Sequence, residues 1–286
     1  MSPLLPTTFL LTLLPYLASA VDFNQWMAPG PNDVRSPCPG LNSLANHGIC
    51  PRSGKGYTVE ILNKCLKDGL NVGHDFSTAI GGAALLAAAP LASRFSLDQI
   101  REHNFPIEHD ASLSREDYYV SADHDNWMFN QTIFDQVLAF YDGMNKTSIP
   151  VAAKAKYARV QTENKEDPKF TYTPQQFLLS YGETALYLST MGDPVTGVAP
   201  LEYVKVFFEQ ERLPYNEGWR PTATETNLNS LGAMILALNK ANGEVVPEGL
   251  LVTTNTVKSA FSGRDPITQA LVSTLSRRGH PKLFHA

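Results

Sequence analysis

Three clusters of residues in this chain have the types and spacing to do chemistry. In Ser36-Pro37-Cys38-Pro39-Gly40 a cysteine stands between two prolines. Each proline fixes one φ angle, and Pro39 also removes an amide, so the sulfur is aimed in advance. A rigid sulfur suits ligation of a metal or a haem iron, which needs a thiolate held in place. Spacing alone favours the plainer reading, a loop cysteine in a disulfide. The second cluster, Glu108-His109-Asp110-Ala111-Ser112 with Arg115 and Asp117 beyond it, offers hard oxygen ligands for Mg²⁺, Ca²⁺ or Mn²⁺. It also offers a histidine that a neighbouring acid could orient for proton transfer. The same residues would equally serve as a helix start, with Asp110 or Ser112 as cap and the acids at the positive end.

The third cluster centres on one carboxylate, Glu183, inside the segment Phe177 to Leu188. Its helical neighbours at three and four positions include Leu179, Leu186 and Tyr187, all apolar in the main. A carboxylate on so apolar a helix either reaches water at the rim or faces a cavity, where it becomes an acid–base candidate.

The remaining cysteines and histidines set the alternatives. Cys50 and Cys65 lie across a turn and a helix start, which fits a disulfide in an oxidising compartment and leaves Cys38 as the odd one of three. Cys65 also fits the apolar stripe of its own helix as a buried free thiol. His47, His74, His103, His124, His280 and His285 show no metal-ligand spacing. His74-Asp75, His109-Asp110 and His124-Asp125 are dipeptides of the kind that helical metal phosphohydrolases use, so a metal-dependent hydrolase is the rival enzyme class.

These clusters need helices to position them, and helical periodicity dominates the chain. Thr58 caps a helix with an apolar stripe from Val59 to Leu70, and Ala79 to Leu91 reads as a buried core helix. Ser96 with Gln99 makes a capping box before Ile100, and Thr132 to Tyr141 is apolar on one face. Thr173-Pro174-Gln175-Gln176 supplies a cap, a proline at the first helical position and a glutamine at the third, opening a helix that stops at Gly192. Further helices are read over Leu201–Arg212, Asn227–Asn242 and Ile267–Arg278. Thr162 to Lys169 reads as an exposed charged loop, and Val245 to Val252 is the sole strand candidate, weakened by Pro247 and Gly249. The sum is a single all-α domain of about eight to ten helices with long loops.

The 286 residues carry 23 Lys+Arg against 28 Asp+Glu, a net charge of -5 that gives no footprint for nucleic acid. With 43% hydrophobic residues a sizeable core is available, and disorder is excluded. Residues 1–20 have no charge, an apolar centre from Phe9 to Leu17 and the small residues Ala18-Ser19-Ala20, which read as a secretory signal and give a mature domain over 21–286. The sequons Asn130-Gln131-Thr132 and Asn145-Lys146-Thr147 agree with a secreted, glycosylated product. No segment has the length and apolarity of a membrane span.

In order along the chain, Pro37-Cys38-Pro39 with Leu41-Asn42-x-Leu44-Ala45-Asn46-His47-Gly48, then Glu108-His109-Asp110-x-Ser112-x-x-Arg115, then Glu209-x-Glu211-Arg212-Leu213-Pro214 and Gly218-Trp219 resemble the motifs of the fungal haem-thiolate peroxidases, the chloroperoxidases and unspecific peroxygenases. The resemblance runs from residue 37 to about 220 and implies the following. Cys38 is the axial ligand of a haem b iron. Glu108, the His109 carbonyl, Ser112 and a haem propionate hold Mg²⁺ or Mn²⁺. Glu183 is the acid–base that cleaves H₂O₂, flanked by His109 and Asp110. The longer peroxygenases have glycine where His109 stands and an arginine one helical repeat before the glutamate; here that position is Gln176, so the chain is similar to the short group. Ile107 and Leu186, aliphatic at the distal pocket, imply a wider entrance than chloroperoxidase has. The implied partners are H₂O₂ and a small organic substrate, with halide oxidation the alternative activity.

Overall fold

The computed structural model describes residues 21–264. The expected signal segment over 1–20 and the expected helix over Ile267–Arg278 lie outside these residues. The described chain is all-helical: α1 (Pro39–Asn46), α2 (Val59–Leu70), α3 (His74–Ala88), α4 (Gln131–Leu138), α5 (Ile149–Glu166), α6 (Pro174–Met191), α7 (Leu201–Glu209), α8 (Leu228–Asn242) and α9 (Thr254–Phe261), with short 3₁₀ turns between. Only isolated β-bridges occur among the described residues, such as Tyr57 to Phe95. None of the described helices is long and apolar enough to cross a membrane.

Helix α6 is the centre, packed against α5, α7, α8 and α9, while α2 pairs with α3 and α1 rests on α2 and α7. Its start follows from sequence: Thr173 accepts from the Gln176 amide, Gln176 reaches back to the Thr173 amide, and Pro174 opens the helix. A helix surrounded on all sides by others must be apolar all round, and α6 is buried from Gln176 to Met191 except at Leu186, which is half-buried, and at Glu183. Glu183 is the one exposed residue of the helix, its side chain 45% accessible.

Capping chemistry places several other elements where the sequence puts them. Thr58 caps α2, and Asn227 with Ser230 forms a capping box that opens α8, which ends at Gly243 in the left-handed region (φ 74°). Other expectations are corrected. The Ser96–Gln99 box is half made, with the Ser96 amide donating to Gln99 Oε1 at 2.8 Å, and it opens only a 3₁₀ turn, Gln99–Arg101. The α3 helix begins at His74 and stops at Ala88, leaving Leu91 fully exposed. The helix expected to run from Leu201 to Arg212 stops at Glu209. Val245 to Val252 forms no strand, as Pro247 and Gly249 already argue.

The charged stretch from Thr162 is not a loop up to Glu166; it is the end of α5. No apolar stripe announces α5, because its buried face carries Lys156, Arg159 and Glu163. These charges are paired. Arg159 bonds Glu163, Gln136 Oε1 at 2.7 Å and the Ser112 carbonyl at 3.0 Å. Lys156 Nζ donates to Glu244 Oε2 at 3.0 Å and bonds the Tyr172 hydroxyl, with the Tyr181 ring 3.6 Å below it. Burial, opposed by Glu244, pulls the Lys156 pKa down to about 8. A buried pair costs most when one partner is removed. K156M is therefore expected to lose about 3–5 kcal/mol of stability in urea titrations, with K156M/E244Q recovering most of it.

Candidate active site

Cys38 is the N-cap of α1, held extended (φ −80°, ψ 109°) with Pro39 as the first helical residue. Because Pro39 has no amide, the nearest donors to the sulfur are the amides of Gly40 and Leu41, which pull the thiol pKa down. Burial outweighs them and, with the Glu183 charge, pushes the thiol up. An unactivated thiol of this kind is a poor nucleophile but a sound metal ligand, since a bound cation displaces its proton. Cys38 is free and opens onto a cavity, whereas Cys50 and Cys65 are joined (S–S 2.05 Å), which settles their pairing. Beside the sulfur the wall is apolar: a Cβ on Gly40 would lie 3.7 Å from both Cys38 Sγ and Phe207 Cζ, and 3.9 Å from Leu70 Cδ1.

The three sequence motifs meet behind this cysteine. Asn42, one turn into α1, accepts from the Ser36 amide at 2.9 Å and donates to the Ser36 carbonyl at 2.7 Å, tying the residue that leads into the proline–cysteine–proline loop to the helix that follows it. The same Asn42 Nδ2 donates to Glu211 Oε1 at 2.7 Å, and Arg115 Nη2 donates to that oxygen at 2.5 Å. His47, at the C-cap of α1, accepts the Leu213 amide through Nε2 at 3.0 Å. Burial, with Arg212 and Arg52 adding to it, holds the His47 pKa down at about 4, so this acceptor is neutral.

The cavity offers about 200 Å³ of space and is partly open to solvent. Its lining includes Cys38, Glu108, His109, Ser112 and Glu183 together with Ile107 and Leu186. His109 is buried, and its Nδ1 donates to the Asp110 carbonyl at 2.7 Å. Its Nε2 stands 3.4 Å from Glu183 Oε1, an ion-pair contact too poorly aligned for a hydrogen bond. Burial works against the imidazolium, but Glu183, the Asp110 carbonyl and Glu108 overcome it and raise the pKa to about 9. The Asp110 carboxylate points elsewhere: Oδ2 accepts the Thr171 amide at 2.9 Å, and Oδ1 lies 3.7 Å from His103 Nε2. It is the carbonyl of Asp110, not its carboxylate, that orients His109.

The family profile described as "Peroxidase, family 2" matches residues 24–224, a stretch that holds all of these residues. The chain belongs to this family. Its curated relatives include an aromatic peroxygenase of Cyclocybe aegerita, 30% identical over 66% of this chain and 56% of that protein. An aromatic peroxygenase of Coprinellus radians is 28% identical over 72% of this chain and 85% of its own length. A chloroperoxidase of Leptoxyphium fumago is 26% identical over 79% of this chain and 64% of that protein. The match thus spans little more than half of the Cyclocybe protein and somewhat under two thirds of the Leptoxyphium one. The family is one of haem-containing peroxidases, so membership implies a haem iron. The donor set fits that cofactor: a free thiol on a mostly apolar cavity, with the Glu183–His109 pair on the same cavity.

The structure disperses the rival hydrolase site. Asp75 accepts the Phe76 and Leu228 amides, and Asp125 accepts those of Trp127 and Met128, so two of the three His-Asp dipeptides do backbone work in separate places. Glu108 Oε2 accepts from His103 Nδ1 and the Asn104 amide, both at 3.0 Å. Ser112 Oγ accepts the Ser114 and Arg115 amides at 3.3 and 3.2 Å. The described carboxylates that lie closest to one another are a different set, Asp110, Asp117 and Asp167. Asp117 binds the Ala111 amide through both oxygens, and burial with Glu163 nearby pushes it up to about 8. Sequence reading missed Glu211 and Asn42 as the joint of the site; only their occurrence inside the motifs marked them.

His47 gives this scaffold an acid limit. A pKa held at about 4 in the folded chain, against an ordinary value near 6.5, means that the unfolded chain binds the proton more readily. The stability contributed by neutral His47 is present above about pH 6.5 and is lost as pH falls towards 4. H47Q, which keeps an acceptor for the Leu213 amide, is expected to flatten the fall in melting temperature across that window relative to the native chain.

Proposed function

We propose that this chain is a secreted haem-thiolate peroxidase or peroxygenase, using H₂O₂ to oxidise or oxygenate small organic molecules. One observation carries the reading: a free, rigidly placed Cys38 and the Glu183–His109 pair line the same apolar cavity. The names of the relatives, aromatic peroxygenases and a chloroperoxidase, support it at the level of the family. The Cys50–Cys65 disulfide supports an oxidising compartment, in keeping with the signal-like segment at 1–20.

Cys38 would hold the haem iron, and the haem, when bound, supplies the electron transfer that peroxide cleavage and substrate oxidation require. The residues of the chain handle the protons. Glu183 takes a proton from H₂O₂ and returns it to the outer oxygen, which then leaves as water. His109, charged and anchored by the Asp110 carbonyl, fixes Glu183 Oε1 in place from 3.4 Å. Glu108, the His109 carbonyl and Ser112 border the cavity and would hold Mg²⁺ or Mn²⁺ beside a haem propionate; Glu108 Oε1 makes no hydrogen bond that would compete. The aliphatic Ile107 and Leu186 favour apolar substrates, and no lysine or arginine lines the described cavity to anchor an anionic one.

Two measurements test this reading. The haem-loaded, reduced protein is expected to give the red-shifted carbon monoxide band of thiolate ligation, and C38H to lose that band while keeping haem. E183Q should retain the haem spectrum and lose about 10²–10⁴-fold in peroxide turnover, the range for a missing general acid–base. H109A, which removes an orienting group, should lose about 10–100-fold. Turnover in E183Q equal to that of the native chain would transfer the role to another acid.

A further inference from the structure

Gly182 immediately precedes Glu183, and its lack of a side chain has a structural cause. A Cβ there would lie 2.2 Å from Cζ and 2.7 Å from Cε2 of Phe261. The Phe261 ring therefore sits in the notch that Gly182 leaves in α6, and it also lines the cavity that Glu183 enters. Phe261 ends α9, which lies beyond the residues 24–224 matched by the family profile.

This helix is pinned at its end rather than free to swing. Gln175 Nε2, from the first turn of α6, donates to the Pro106 carbonyl at 2.8 Å and to the Ala260 carbonyl at 3.4 Å. Gly263 holds a left-handed φ of 72° and packs so closely that a Cβ would lie 2.7 Å from Pro106 Cβ. The ring itself meets Phe76 edge-on, centroids 4.8 Å apart. Phe261 is thus fixed against α6, α3 and the loop that leads into Ile107 and Glu108. The same cavity is also lined by the aliphatic Ile80, Ile107 and Leu186.

We propose that Phe261 is a specificity-determining residue of this site, a fixed aromatic shelf beside Glu183 that sets the width of molecule able to reach it. The proposal rests on the haem-thiolate reading above and deepens it. The shelf admits narrow, uncharged apolar molecules and turns away those that are broad next to the reacting position. Because the shelf belongs to α9, the selectivity it imposes is a property of this chain's C-terminal segment and not of the motifs that hold the cofactor.

The test uses two neutral iron ligands of different width, imidazole and 4-phenylimidazole, titrated into the full-length ferric holoprotein and followed by the Soret shift. F261A is expected to leave imidazole affinity within about twofold and to tighten 4-phenylimidazole about 10–100-fold, the range for relieving a steric limit in an apolar pocket. F261L should fall between the two. An unchanged ratio in F261A, or both ligands changing together, overturns the shelf. The seating is checked by a cycle on melting temperature: G182A should lower it in the native background and much less in F261A. Additive effects would overturn the contact on which the proposal stands. Native protein that binds neither ligand would overturn the haem reading and the shelf with it, whereas native protein that binds imidazole while F261A leaves the ratio unmoved overturns the shelf alone.

Discussion

One buried carboxylate oxygen holds the site together. Glu211 Oε1 receives Asn42 at 2.7 Å and Arg115 at 2.5 Å, so a residue after α7, a residue of α1 and a residue of the loop below His109 converge on a single atom. Arg115 is 1% exposed, and its charge is tolerable there only because Glu211 answers it. Through Asn42 the same oxygen fixes Ser36, whose hydroxyl in turn accepts the Cys38 amide at 3.2 Å. The aim of the sulfur is therefore not a property of its two prolines alone. The prolines restrict the loop, and the Asn42–Glu211–Arg115 joint locks it to the segment that carries His109.

A second constraint follows from the centrality of α6. A helix packed on all sides cannot carry a charge unless a void meets it, and Glu183 is the position where the void lies. The void persists because its other walls are rigid: α1 with its proline start, α9 seated at Gly182, and the loop held by Gln175. His109 could not remain charged when buried without a carboxylate beside it, and Glu183 supplies that charge at 3.4 Å. The pair is thus mutually required. Geometry places the acid in the void, and the acid keeps the imidazole protonated.

How much of this was legible in the sequence depended on what each element buries. Helices whose ends carry strong caps, α2, α6 and α8, were read nearly to the residue, because Thr58, Thr173 and Asn227 satisfy local donors irrespective of tertiary context. α5 was missed, since its inward face is built from Lys156, Arg159 and Glu163 and shows no apolar period. α1 and α9, each of eight residues, are too short for periodicity to register. Motif and resemblance single out Cys38, Glu108, His109, Ser112 and Glu183, and all five line the same cavity. The Asp110 carboxylate, expected beside the imidazole, turns to the Thr171 amide instead, and the Asp110 carbonyl contacts His109. The Glu211 joint was beyond reach, since it spans 169 residues from Asn42 and no local pattern encodes a contact at that distance.

The division between what motifs and packing determine has a consequence for the family as a whole. The residues proposed to hold the cofactor and move the proton sit within residues 24–224, inside local motifs. The shape of the cavity that Cys38 and Glu183 line is set partly by a helix outside that range, through one glycine that yields room to one phenylalanine. A glycine at 182 has no chemical role in proton transfer, yet any side chain there would collide with Phe261 and disturb the backbone next to Glu183. The two positions share one volume in this chain: a larger residue at 182 needs a smaller one at 261. Substrate range can then vary at that paired position while the chemistry beside it is left intact.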